Sequence, residues 1–121
     1  MDTTKQYIDM CNKAKEIQEL WKPKEGDFYK RAKLKYGDEV VVDIYGYADP
    51  KCNIFIPRQD QLQEMLGIKD LVLLITKFQL WIFRQQAELL PKSMEQLWLA
   101  YVMKEKYNKI WNGHDWEREE K

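Results

Sequence analysis

Nucleophile and metal chemistry have little to work with in this chain. Among its 121 residues Ser93 is the only serine and His114 the only histidine. A Ser-His-Asp arrangement would need both, yet Ser93 stands three residues before Gln96 at the head of an apolar-periodic segment, the pattern of a helix cap. Two cysteines, Cys11 and Cys52, lie far apart in sequence. With one histidine they cannot close a zinc site, and they form no disulfide framework. Free thiols in a reducing compartment are expected, and the polar start Met1-Asp2-Thr3-Thr4-Lys5-Gln6 has no secretion-signal pattern. The five glycines are scattered, so neither a P-loop nor a dinucleotide fingerprint passes through them. Apart from the carboxylates discussed below, the residues imply no metal and no cofactor.

Net charge is also missing: 20 Lys plus Arg balance 20 Asp plus Glu. A neutral chain has no long-range pull toward nucleic acid or an acidic membrane, and little self-repulsion to keep copies apart. The longest apolar stretch, Leu71 to Phe83, has ten apolar positions in 13. A membrane span needs about 20, so this stretch is expected to be a helix in the middle of the core, and no membrane role is expected.

What the chain does have is aromatic and aliphatic side chains: 45% of residues are hydrophobic and five are tryptophan. That composition supports a packed core and argues against disorder. The length fits one domain, residues 1–121. Tyr7, Met10, Ala14, Ile17 and Trp21 recur at helical spacing, predicting one helix from about Thr4 to Trp21, ended by Pro23. Phe28 to Arg31, Val40 to Tyr47 and Asn53 to Ile56 read as strands separated by turn chemistry. Pro57 opens a return to helix, Gly67 is placed to stop it, and Met94, Leu97, Trp98, Tyr101 and Val102 mark the inner stripe of a last helix from about Ser93 to Tyr107. Asn112-Gly113 reads as a tight turn, with a two-residue hairpin as one form. The fold class is therefore α+β: an N-terminal helix, a three-stranded antiparallel meander, and a C-terminal helical group packed on one sheet face.

Three surfaces are candidates for binding. From Lys22 to Lys35 six basic residues face two acidic ones, and aromatic rings interleave with them. Tyr29, Lys30, Arg31, Lys33 and Lys35 have the composition of a single-strand nucleic-acid site, with charge for phosphates and a ring for bases. The plainer account is a solvated hairpin whose lysines guard a sheet edge. Arg58, Gln59 and Gln61, at a helix start, offer a polar surface to a protein, or simply face water beside Asp60 at the positive helix end. Trp111 and Trp116 either staple the terminal turn to the domain or present an aromatic patch to a partner. A fourth group, Asp38, Glu39 and Asp43, has the makings of a divalent-metal cluster, set against a turn and the solvated face of a strand.

Certain strings carry a resemblance. They are Glu16-Ile17-Gln18-Glu19-Leu20-Trp21-Lys22-Pro23 followed by Gly26-Asp27; Ile56-Pro57-Arg58-Gln59-Asp60-Gln61-Leu62-Gln63-Glu64-Met65; and Ser93-Met94-Glu95-Gln96-Leu97-Trp98-Leu99-Ala100 with Lys109-Ile110-Trp111-Asn112-Gly113. In this order they resemble small proteins encoded in phages and prophages of Gram-positive bacteria such as clostridia. The resemblance implies a phage-derived origin and a bacterial cytoplasmic setting, and it carries over no catalytic residue. The expected function is a non-enzymatic phage accessory protein that binds a host or phage protein, with homo-oligomers permitted. A single-stranded nucleic-acid binder and a metal-dependent nuclease-like enzyme are the alternatives.

Overall fold

The computed structural model describes residues 1–32 and 40–119. Lys33 and Lys35 of the basic strip, and Asp38 and Glu39 of the carboxylate group, lie outside the described residues.

The N-terminal segment is helical, but as two helices rather than one. Helix α1 spans Lys5–Lys13 and α2 spans Lys15–Leu20. Thr4 caps α1, its Oγ1 accepting from the Tyr7 N–H at 3.3 Å. The break falls at Ala14, where ψ is 73° and the N–H is shared between the Met10 and Cys11 carbonyls. Its cause is tertiary. The turn keeps Ile17 in the core and swings Gln18 onto a strand edge, where one side-chain amide serves three backbone groups. Gln18 Nε2 donates to Cys11 O and to Phe55 O, and Gln18 Oε1 accepts from the Phe55 N–H at 2.8 Å.

The sheet is antiparallel, with strands β1 (Phe28–Arg31), β2 (Val40–Val42) and β3 (Asn53–Ile56). Its three antiparallel strands are as expected, but their order is β2-β1-β3 and not the sequential order of a meander, so β1 is central and the β2-to-β3 connection passes its end. Tyr29 stands opposite both Val41 and Phe55; Phe28 stands opposite Val42 and Ile56. Phe55 and Ile56 are neighbours, point to opposite faces, and are both buried. At β3, therefore, both faces are covered: Trp21 stacks on Phe55 at 5.1 Å between ring centroids, and α1 packs against the same strand.

β2 is shorter than the β-branched run Val40 to Tyr47 suggested. Asp43 is buried rather than solvated, and its carboxylate collects the N–H groups of Gly46, Tyr47 and Ala48 at 2.8, 3.1 and 3.0 Å. The chain turns around that anion and leaves the strand. Gly46 has φ +77°, and a Cβ there would meet the Glu25 backbone N at 3.2 Å, so the loop needs glycine at that point.

Helix α3 spans Gln59–Met65, helix α4 Leu71–Phe83 and helix α5 Met94–Tyr107. Gly67, with φ +69°, ends α3 as its position suggested. Ser93 caps α5, accepting from the Gln96 N–H at 3.1 Å. Asp2 joins this cap: its carboxylate accepts from Ser93 Oγ, Gln96 Nε2 and the Thr4 N–H, tying the chain start to α5. Burial works to raise the Asp2 pKa, but these hydrogen bonds outweigh it and hold the carboxyl below its ordinary value.

The central helix is α5. Trp98, Leu99, Tyr101, Val102 and Met103 are all buried, and they form one cluster with Tyr7, Met10, Ile17, Ile56 and Leu62. The apolar segment expected at the centre, α4, instead lies at its edge and gives the buried cluster only Leu74 and Phe78.

Asn108, in the left-handed region at φ 55°, ends α5. The chain then makes β4 (Lys109–Trp111) and β5 (Trp116–Arg118), with Trp111 opposite Trp116. Four residues connect them instead of two. Asn112 Oδ1 accepts from the N–H groups of His114 and Asp115 at 2.7 and 2.8 Å and shapes the wider loop.

Candidate interaction surface

Helix α4 starts on a firm cap: Asp70 accepts from the Val72 and Leu73 N–H groups at 3.0 and 3.3 Å. From there ten of its 13 side chains are apolar, but one stripe suffices to dock it. Leu74 and Phe78 are 4% and 6% exposed. Phe78 lies flat on Trp98, with ring centroids 3.7 Å apart, and meets Tyr101 edge-on; Trp81 adds a tilted contact to Tyr101.

The opposite side is open to solvent and is also apolar. Val72, Ile75, Leu80 and Phe83 are exposed by 75, 57, 52 and 74%, and Leu73 is exposed too, while Leu71, also exposed, sits at the helix start in line with the docked stripe. A helix apolar all round belongs inside something. Here the chain's own core covers one side and leaves the other uncovered. Contiguous exposed apolar area of this kind marks interaction sites in soluble proteins. Val72, Leu73, Ile75, Leu80 and Phe83, assigned to the core from their pattern, are the surface that sequence reasoning missed. The pattern carries no signal for it, since a helix apolar all round reads the same whether or not its outer side is covered.

A smaller patch sits after β2, where Ile44, Tyr45 and Tyr47 are exposed and the two tyrosines stack at 6.0 Å.

The three surfaces expected from the sequence fare differently. In the basic strip, Tyr29 and Lys30 are consecutive on β1 and therefore point to opposite faces. Tyr29 is half-buried against Trp21, 6.2 Å away, and Lys30 lines a hollow with Lys5, Asp9 and Asn12 of the α1 side. Arg31 is exposed. Tyr29 and Lys30 thus do not share a platform, whereas Arg31, two residues on, lies on the Tyr29 face and lines a shallow hollow with Tyr29, Tyr45 and Tyr47.

Arg58, Gln59 and Gln61 stand at the start of α3. Gln61 and Arg58 converge on a buried carboxylate, Asp27. Gln61 Nε2 donates to Asp27 Oδ1 at 2.8 Å, while Trp21 Nε1 and the Lys24 N–H donate to Oδ2 at 3.0 and 2.9 Å. The Arg58 guanidinium stands 3.8 Å from the same carboxylate, donates to Gly26 O, and pairs with Asp60. Gln61 Oε1 accepts from the Arg58 N–H at 2.9 Å. Both side chains thus join α2, β1 and α3 through Asp27. Gln59 is half-buried.

Trp116 is buried and donates its Nε1–H to Met10 O at 2.9 Å, fastening the terminal hairpin to α1. Trp111 is half-buried, lies 5.2 Å from Trp116, and has the Lys13 ammonium 5.9 Å from its ring centroid. The pair therefore acts as a staple, with the edge of Trp111 reaching the surface.

Reactive groups are held down or apart. Cys11 is fully buried, and burial pushes its thiol pKa up; the nearby Tyr7 hydroxyl, raised chiefly by burial, donates to Pro57 O at 2.6 Å. Cys52 is exposed. His114 is exposed on the terminal loop. Asp43 spends its oxygens on backbone N–H groups, which hold its pKa low against the upward pull of burial. Among the described residues no three His, Cys, Asp or Glu side chains come together to hold a metal, and no helix is long and apolar enough to cross a membrane.

Compared with protein-family models, curated proteins and solved structures, the chain matches none.

Proposed function

We propose that this chain is a non-enzymatic accessory protein, of phage or prophage origin as its resemblance implies, that works in the bacterial cytoplasm by binding protein through the outer face of α4. One observation carries this reading: four large apolar side chains on one side of a single helix, Val72, Ile75, Leu80 and Phe83, are each more than half exposed, while the other side is already anchored on Trp98 and Tyr101. Leaving such area in water forgoes roughly 25 cal/mol for each Å² that a partner would cover. The polar and thiol side chains support the reading by their employment elsewhere: Ser93 in a cap, Asp27 and Asp43 in buried hydrogen-bond nodes, Cys11 in the core. The nucleic-acid alternative has weaker support, since of Lys30 and Arg31 only Arg31 shares the Tyr29 face.

The test compares the wild type with Val72→Glu/Phe83→Glu, two substitutions on the open face. Solution mass is measured by light scattering, and retention of proteins from a bacterial host lysate is measured on immobilised chain. Loss of self-association, or of a retained protein, in the variant supports the reading. A wild-type chain that is monomeric and retains nothing that the variant lacks overturns it.

A further inference from the structure

The open face of α4 has a pattern of its own. At 3.6 residues per turn, Val72, Thr76, Gln79 and Phe83 fall in one narrow row, spaced by four, three and four. That is the seam spacing of paired helices. Leu73 and Leu80 flank the row on one side and Ile75 on the other. Lys77, the only charged residue of the helix, is turned well away from the row.

The row is also self-complementary. Val72 and Phe83 are equally distant from a point midway between Lys77 and Phe78, and so are Thr76 and Gln79. We infer that α4 pairs with α4 of a second copy, antiparallel about a two-fold axis at that point. The inference rests on the reading of α4 as the docking element and names its occupant. In this arrangement the small Val72 of one copy meets the large Phe83 of the other at both ends. At the centre the Thr76 hydroxyl meets the Gln79 amide, a polar pair that sets register among apolar neighbours. Leu73 packs beside Leu80 of the second copy. A two-fold contact of this kind closes on itself and leaves no free end.

Area and charge agree with a second copy. The five exposed apolar side chains on the open side of α4 offer about 600 Å² per copy, against the roughly 800 Å² that one partner contributes to a standard interface. The chain carries no net charge, so two copies do not repel at long range. The face has no charged group with which a different partner would be selected, whereas Val72 with Phe83, Thr76 with Gln79 and Leu73 with Leu80 match across the two-fold.

The experiment is sedimentation equilibrium on the full chain from about 1 to about 500 µM, with circular dichroism to confirm that each variant is folded. The wild type is expected to be dimeric. Leu73→Glu/Leu80→Glu sets like charges against each other across the two-fold and is expected to weaken the dimer at least a hundredfold. Leu73→Glu/Leu80→Lys sets opposite charges together and is expected to recover at least tenfold of that loss, a response specific to the antiparallel register. A folded wild type that stays monomeric overturns the inference; the docking reading of α4 then stands or falls on the lysate comparison above. A dimer that both double variants weaken equally, or that neither weakens, overturns it as well.

Discussion

Replacing Asp27 with alanine is expected to cost about 4 kcal/mol of stability. Asp27 is 3% exposed, and its carboxylate is the common acceptor for Trp21 Nε1, the Lys24 N–H and Gln61 Nε2, with Arg58 beside it. Removing it leaves three donors and a cation facing an apolar gap. Breaking a buried charged group away from its partners costs roughly 3–5 kcal/mol, and each stranded donor adds its own desolvation penalty. Arg58 is one-third exposed, so water recovers part of its share and the total sits mid-range. For 121 residues, an unfolding entropy near 2.1 cal/mol/K per residue turns 4 kcal/mol into a fall in Tm of about 15 °C. Asp27→Asn keeps the shape but turns one acceptor into a donor aimed at Gln61 Nε2. Gln61 cannot rotate to meet it without giving up the bond from the Arg58 N–H, so this variant should still lose about 2 kcal/mol. Urea denaturation of the wild type and both variants measures these differences. A loss below about 1 kcal/mol for Asp27→Ala, or an Asp27→Asn variant as stable as the wild type, refutes the idea that this carboxylate holds α2, β1 and α3 together.

Gln18→Leu should destabilise the fold by about 2–4 kcal/mol in the same assay, because it strands the N–H and C=O of Phe55 and frees the edge of β3; Gln18→Glu, which keeps only the acceptor, should fall between it and the wild type. Asp2 supplies a pH dependence. Its folded pKa lies below its ordinary value, so its stabilising share is present above about pH 4 and is lost as the pH falls through the lower folded value. Asp2→Asn should flatten the fall of the urea midpoint below pH 4; an unchanged slope would contradict the cap network.

Much of the fold was legible because local chemistry and tertiary packing agree. Ser93 caps a helix, Gly67 ends one, and the strands at Phe28 and Asn53 lie where β-branched and aromatic residues run between turns. Elsewhere a long-range partner decided the outcome. Nothing near Ala14 in the sequence signals a helix break; it arises because Gln18 pairs with Phe55, 37 residues on. The run Val40 to Tyr47 has strand propensity throughout, yet Asp43 draws the chain into a loop by binding three N–H groups. The Arg58 and Gln61 surface was visible as polar residues at a helix start, but its inward bonds to Asp27 depend on the meeting of two distant segments. Helix α4 was legible as a helix and not as a surface, since periodicity reports where apolar side chains lie around an axis and says nothing of what covers them.

The exposure of α4 can be measured directly by comparing Phe83→Lys with Phe78→Ala in dilute solution, where no second copy contributes to stability. Both positions are phenylalanines of the same helix, five residues apart. If the outer face is open in the free chain, Phe83→Lys changes the unfolding free energy by less than about 1 kcal/mol, while Phe78→Ala, which strips the ring stacked on Trp98, costs about 3–5 kcal/mol. Equal losses at the two positions would contradict it, and would place the outer face of α4 inside the folded chain.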